Sequence, residues 1–147
     1  MITKKETALK NIKAGWAKCH FWSNELKNNR ILMKLACIDS LLNLEYIPDQ
    51  FKRDKYFFIE LLKEYSKDPV RSWLAVSTIL QYVSEELYDD KEFMEILIRY
   101  NYHAMSFASD HLQHDIDFVL KMIGENVGIY DELPKDMRDR ILKTYTL

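Results

Sequence analysis

The chain has 147 residues; 48% are apolar and 19 are aromatic, while only three are Gly and three are Pro. This composition argues against a linker-rich or disordered chain and predicts one helical domain with a sizeable core. The net charge is −2, but residues 1–34 carry +6 and residues 35–147 carry −8, so a uniformly basic nucleic-acid binder is disfavoured.

The sequence also indicates a location and a redox state. No apolar run is long enough to cross a membrane, and the lysine-rich start lacks the apolar stretch of a secretory signal. We therefore expect a cytoplasmic protein without a membrane partner. Cys19 and Cys37 lack the spacing of metal ligands and are expected to be buried free thiols.

Residues 1–18 predict a lysine-rich N-terminal capping helix with Ala8, Ile12 and Trp16 facing the core. After this helix a short pattern returns five times. Its anchors, which number repeats 1 to 5, are Leu26, Phe51, Leu87, Leu112 and Met137, and they lie 25, 36, 25 and 25 residues apart. Such a period predicts an all-α, α-solenoid-like stack of helix–turn–helix repeats.

The residues around each anchor predict how a repeat folds. A Ser or Pro stands three residues before the anchor, at what we call the junction position: Ser23, Pro48, Ser84, Ser109 and Pro134. Three residues after it, the cap position holds Asn29, Asp54, Asp90 and Asp115 in repeats 1–4. These side chains are expected to cap a longer helix. Apolar residues stand four positions before the anchors (Trp22, Ile47, Val83, Ala108, Leu133) and, in repeats 1–4, five positions before them (Phe21, Tyr46, Tyr82, Phe107). In repeats 1–4 they also stand six positions after the anchors (Leu32, Phe57, Phe93, Phe118).

Two segments depart from the pattern. Repeat 2 has eleven extra residues near Lys63–Thr78, where Asp68 and Pro69 predict the start of a lengthened or additional helix. Insertions in repeat arrays often lie on the binding face, although a spacer is equally compatible. The last repeat, residues 133–147, is truncated: Arg140 replaces the capping residue and Lys143 the Phe. Terminal repeats are atypical because one face meets water.

Motifs of catalysis are missing from the sequence. It has no Gly-rich phosphate loop, no His-Glu-x-x-His, no Cys-x-x-Cys and no Gly-x-Ser-x-Gly. His111 and His114, with nearby Asp residues, are the nearest approach to a metal site, but the other repeats hold varied polar residues at these positions. A solvated turn is therefore favoured, and we expect no enzyme, no metal and no cofactor.

The charged segments suggest two surfaces. The acidic residues of repeat 3 either form a solvated face or attract a basic partner. The candidate partner-binding residues are Glu85, Glu86, Tyr88, Asp89, Glu95 and Trp73. The lysine-rich N-terminus could instead bind phosphates, but Phe21 and Trp22 within it occupy apolar repeat positions and are expected in the core.

The stretches Tyr82–Met94 and Ala104–Leu120 resemble a family of short bacterial and protist helical repeats known only as a domain of unknown function. Its units look like A-L-x-Y-A-S-E-E-L-x-N-D-K-E-F-V-L-x-A-V. The resemblance is best over residues 80–133 and partial over 19–62. It implies a helical repeat fold and an interaction role, and it implies no chemistry.

The function expected is a non-enzymatic protein–protein interaction module. One version is an inhibitor, specifically an immunity or antitoxin protein whose acidic middle covers the active site of a basic nuclease toxin. One alternative is a nucleic-acid binder that uses the lysine-rich first helix. A second alternative is a metal-dependent enzyme built around His111 and His114.

Overall fold

The computed structural model describes residues 1–145 and confirms the all-α fold. The chain divides into two compact units, Met1–Ser84 and the segment from Glu85 onward. A single domain over residues 1–147 stays a prediction, and residues 146–147 of the predicted last repeat lie outside the described residues. Within those described, no helix has the length and apolarity needed to cross a membrane.

The first unit holds six α-helices among its described residues. They are α1 (Lys5–Lys13), α2 (Asn24–Lys27), α3 (Arg30–Asp39), α4 (Asp49–Lys52), α5 (Lys55–Tyr65) and α6 (Pro69–Ile79), with 3-10 helices at Cys19–Phe21 and Leu41–Tyr46. Helix α3 packs against α1 and α5, and α5 also packs against α6. Ile2 makes an isolated parallel bridge with Trp22.

The second unit follows the same plan. Its helices are α7 (Lys91–Tyr100), α8 (Asp110–His114), α9 (Ile116–Glu125) and α10 (Lys135–Tyr145), with 3-10 helices at Glu85–Asp89, Tyr102–Phe107 and Val127–Glu132. Helix α7 packs against α9, and the 3-10 helices Tyr102–Phe107 and Val127–Glu132 pack against each other. Equivalent elements of successive repeats therefore lie side by side within this unit.

The anchors and their neighbours form the core, as the pattern predicts. All five anchors are buried, and so are all five residues four positions before them. The residues six positions after the anchors, Leu32, Phe57, Phe93 and Phe118, are also buried. Because burying one such side chain contributes roughly 1.5–3 kcal/mol, these repeated positions supply much of the drive to fold.

The cap position acts as predicted. Each side chain accepts the backbone N–H three residues on: Asn29 from Leu32, Asp54 from Phe57, Asp90 from Phe93 and Asp115 from Phe118, at 2.9–3.1 Å. The capped N–H therefore belongs to the buried residue six positions after the anchor. This bond fixes the direction in which the longer helix enters the core. Repeat 5 has Arg140 at this position, and there α10 continues without a break.

The insertion in repeat 2 is a helix, as predicted. Repeats 1, 3 and 4 each follow the long helix with a six-residue 3-10 helix, whereas repeat 2 has the eleven-residue α6 instead. Asp68 caps α6 by accepting the N–H groups of Val70 and Arg71, and Pro69 occupies its first turn.

The N-terminal segment corrects three predictions. Helix α1 covers only Lys5–Lys13 of the 1–18 predicted, because Gly15 has φ 70° and turns the chain away. Ala8 is buried and Ile12 half-buried, but Trp16 lies beyond the helix and is 72% exposed instead of facing the core. Phe21 is 52% exposed because the residue five before the anchor ends a 3-10 helix, while Trp22 is buried.

Candidate functional site

Polar side chains follow the seams between repeats inside each unit. The residue just before an anchor bonds to the residue two positions after the preceding anchor. Such pairs include Gln50 with Asn28 at 3.0 Å, His111 with Asp89 at 3.0 Å, and Asp136 with His114 at 2.9 Å. The pairing recurs with different residue types, so it is a structural device of the repeat.

This seam accounts for the histidine pair. His111 Nδ1 contacts Asp89, whereas His114 contacts the carbonyl oxygen of Asp110 through Nδ1 and the carboxylate of Asp136 through Nε2. The bonds to Asp110 and Asp136 raise the pKa of His114 above its ordinary value. No group of three or more His, Cys, Asp or Glu within residues 1–145 has the arrangement of a metal site.

Glu95, a predicted partner-binding residue, is paired inside its own unit. Its carboxylate receives Lys121 at 2.7 Å and Arg99 at 2.5 Å, and the side chain is only 18% exposed. Glu60 in repeat 2 receives Lys34 and Arg30 in the same manner, and these bonds lower its pKa. Because the charge of Glu95 is compensated, it adds little to the potential that an outside partner meets.

The other predicted residues of repeat 3 are distributed around its short helix. Glu85, Glu86 and Asp89 are exposed, and Tyr88 is half-buried. Asp89 accepts from the Ser109 hydroxyl and contacts His111, and these bonds lower its pKa. Glu86 and Tyr88 also have partners within the chain. The exposed acidic surface is therefore Glu85 and Glu86, with Asp89 held in the seam.

Trp73, the predicted binding residue of the first unit, lies on the inserted helix α6. That helix buries Ser72, Ala75, Val76 and Ile79 on one face. Its other face exposes Val70 (73%), Trp73 (45%) and Leu74 (56%). The spacing of three and four residues places the exposed side chains on one stripe, which we call the α6 stripe.

A groove at the N-terminal end of the first unit was missed by the sequence analysis. Trp16, His20 and Phe21 line it together with Leu42 and Tyr46. Leu42 is 80% exposed, and Trp16 and Phe21 in the same groove are exposed as well. Several exposed large apolar side chains in one groove are unusual. The one available signal was Gly15, which breaks the helical pattern just before Trp16.

The two cysteines are buried and free, as predicted. Burial raises the pKa of Cys19 to about 12, and burial also raises the pKa of Cys37. Thiols with raised pKa values are poor nucleophiles at neutral pH. The structure therefore places both thiols in the core.

A family model described as a domain of unknown function (DUF4116) matches residues 90–138. The matched segment begins at the cap residue of repeat 3, includes all of α7, α8 and α9, and ends just past the anchor of repeat 5. No curated protein and no solved structure significantly matches the chain. The description of this family assigns no activity to the matched segment.

Proposed function

We propose that the protein is a non-enzymatic module that binds another protein. The observation that carries this proposal is the α6 stripe, because α6 is the insertion that interrupts an otherwise regular repeat. Apolar side chains at the repeated core positions are buried, whereas α6 leaves Val70, Trp73 and Leu74 in water. Contiguous exposed apolar residues mark binding surfaces, and Trp is enriched among the residues that dominate binding energy.

The more specific proposal is an inhibitor that acts in the cytoplasm, such as an immunity or antitoxin protein for a basic nuclease. The exposed Glu85 and Glu86 support it, since exposed carboxylates accelerate encounter with a basic surface, and Glu86 does so while it also has a partner within the chain. Glu95 and Asp89 contribute less, because both are held by groups of their own unit. We also propose that the repeats belong with the short helical family that their motif resembles.

Affinity capture from the host with tagged variants tests both versions. The double variant Trp73→Ser, Leu74→Ser disrupts the α6 stripe, and Val127→Ser, at a side chain that is 78% exposed, is the matched control. We expect a protein that is captured by the wild type and the control but reduced at least about tenfold on the double variant. Equal capture by all three chains would show that the α6 stripe does not carry the binding, and failure of the wild type to capture any protein would contradict the module proposal.

A second pair of variants tests the acidic surface. Glu85→Lys with Glu86→Lys reverses the exposed charges, and Glu95→Gln serves as the comparison because that carboxylate is already compensated. The inhibitor proposal predicts a basic partner that is lost on the charge-reversed chain and retained by Glu95→Gln. A partner that is acidic, or that is unaffected by the reversal, would rule out the basic-nuclease version.

A further inference from the structure

We propose that the N-terminal groove is a docking site for an apolar side chain carried on an acidic protein segment. This inference rests on the proposed function, because it assumes that the partner is a protein. It adds a site built from residues other than Trp73 and the acidic residues of repeat 3.

The size and lining of the groove suit an apolar side chain of a partner. Its volume is about 450 Å³, and a second groove of about 430 Å³ shares Trp16, Lys18 and Phe21 with it. Both lie in the size range of binding clefts. The rings of His20 and Phe21 meet edge-on at 4.9 Å, and His20 lies 5.6 Å from the ring of Tyr46, so one wall is aromatic.

The backbone that carries the groove is held in place. Gly15 and Trp16 donate their N–H groups to the last turn of α1, and Ala17 donates to Asp39. Asn43 bonds to the carbonyl oxygen of Ala17 and accepts the N–H of Cys19. A groove that is ordered before binding loses less conformational entropy when it is occupied. The ordered backbone therefore favours binding of a partner's apolar side chain against the exposed rings.

The charges beside the groove decide the class of partner. Lys18 lines both grooves, and Lys10 and Lys13 lie in the last turn of α1, just before Gly15 and Trp16. All three are exposed, and none of them is in an ion pair among the described residues. In contrast, Arg30 and Lys34 of the same basic segment are paired with Asp54 and Glu60. The uncompensated lysines attract carboxylates of a partner whose apolar residue enters the groove.

The same lining disfavours a nucleic acid. Asp39 and Glu45 also line the groove. A nucleic acid carries a phosphate at every nucleotide and would place some of them against these carboxylates. A protein segment can place its acidic residues toward the lysines and an uncharged residue against Asp39 and Glu45.

The fluorescence of Trp16 provides the assay. In a Trp73→Phe background, Trp16 is the exposed indole, since Trp22 is buried. The probes are 12-residue peptides selected from a random display library on this protein, and a 20-residue oligo-dT. The matched variants are Leu42→Asp in the groove and Val127→Asp, which lies on a 3-10 helix of the second unit with similar exposure. A third variant replaces Lys10, Lys13 and Lys18 with Glu.

The proposal expects net-acidic peptides that share a Leu or aromatic residue and shift the Trp16 emission to shorter wavelength. Leu42→Asp should weaken their binding at least about tenfold, the triple Lys variant about fivefold or more at low salt, and Val127→Asp less than about twofold.

Selection of basic peptides, or enrichment that is independent of Leu42, would overturn the proposal. Salt-sensitive binding of oligo-dT without peptide binding would assign the surface to nucleic acid, and dimerisation abolished by Leu42→Asp would assign it to self-association. Because the readouts are the Trp16 emission and the effect of Leu42→Asp, neither of which reports on the α6 stripe, failure here leaves the α6 capture experiment to be judged independently.

Discussion

Ser109 donates its backbone N–H to the carbonyl oxygen of Tyr88 at 2.8 Å, which ties repeat 4 to repeat 3 inside the second unit. Ser84 donates to the carbonyl oxygen of Lys52 at 2.9 Å in the first unit, and Ser23 donates to Ile2 at 2.8 Å. Pro48 and Pro134 hold the junction position in the other repeats and have no N–H to donate. Serine therefore adds a bond at this position that proline omits.

The two residue types share one backbone conformation. Ser109 has φ −57° and ψ 155°, and Pro48 has φ −62° and ψ 152°. We expect Ser109→Pro to fold and to lie within about 1 kcal/mol of Ser109→Ala in free energy of unfolding, because the lost bond and the reduced unfolded-state entropy nearly cancel. Urea unfolding of both variants measures the difference. A loss above about 3 kcal/mol for proline relative to alanine would show that the junctions are not interchangeable.

Asp115 combines two interactions that substitution can separate. It caps α9 by accepting the N–H of Phe118, and it pairs with Lys91 at 2.6 Å. We expect Asp115→Ala to lower the free energy of unfolding by about 1–2 kcal/mol, and Asp115→Asn by less than about 1 kcal/mol, because Asn can still cap. Urea unfolding at pH 7 provides the measurement, with exposed Asp131→Asn as the control. Equal losses for Ala and Asn would mean that the ion pair dominates.

The cap also predicts a pH dependence. The bonds from Lys91 and from the Phe118 N–H lower the pKa of Asp115. A carboxylate whose pKa is lower in the folded state stabilises the protein above its ordinary pKa of about 3.9 and loses this effect as the pH falls through the folded value. The stability advantage of the wild type over Asp115→Asn should therefore shrink on acidification below about pH 4.

Comparison among the repeats shows which features the sequence could predict. The anchors, the caps and the extra helix were all predictable because burial and capping require particular residue types at fixed spacing. Trp16 and Phe21 were misplaced because an aromatic side chain fits both a core and a partly exposed position. Gly15 ends α1 early, and this local turn outweighs the helical spacing of Trp16.

The contribution of the His114–Asp136 pair to stability should depend on pH in the direction opposite to that of Asp115. The pKa of His114 is raised by its bonds to Asp110 and Asp136, so its contribution is fully present below about pH 6.5 and is lost as the pH rises through the folded value. We expect the stability difference between wild type and His114→Gln to be larger at pH 5.5 than at pH 9. A double-mutant cycle with Asp136→Asn isolates the pair. A coupling energy that is unchanged between the two pH values would contradict the pairing.

Asn43 and Ala104 occupy the same repeat position, seventeen residues after their anchors, and both are buried. Asn43 is covered by the N-terminal segment and bonds to Ala17, Ala36 and Cys19 at 2.6–3.1 Å, whereas Ala104 lies on a 3-10 helix that packs against the next one. We expect Asn43→Ala to lower the free energy of unfolding by about 2–3 kcal/mol, because it leaves buried backbone groups without partners. Ala104→Asn should also destabilise, since it places an amide at a position that is 1% exposed. Thermal unfolding of both variants measures the effect, and a neutral Asn43→Ala would show that the N-terminal segment, and with it the groove, does not depend on this residue.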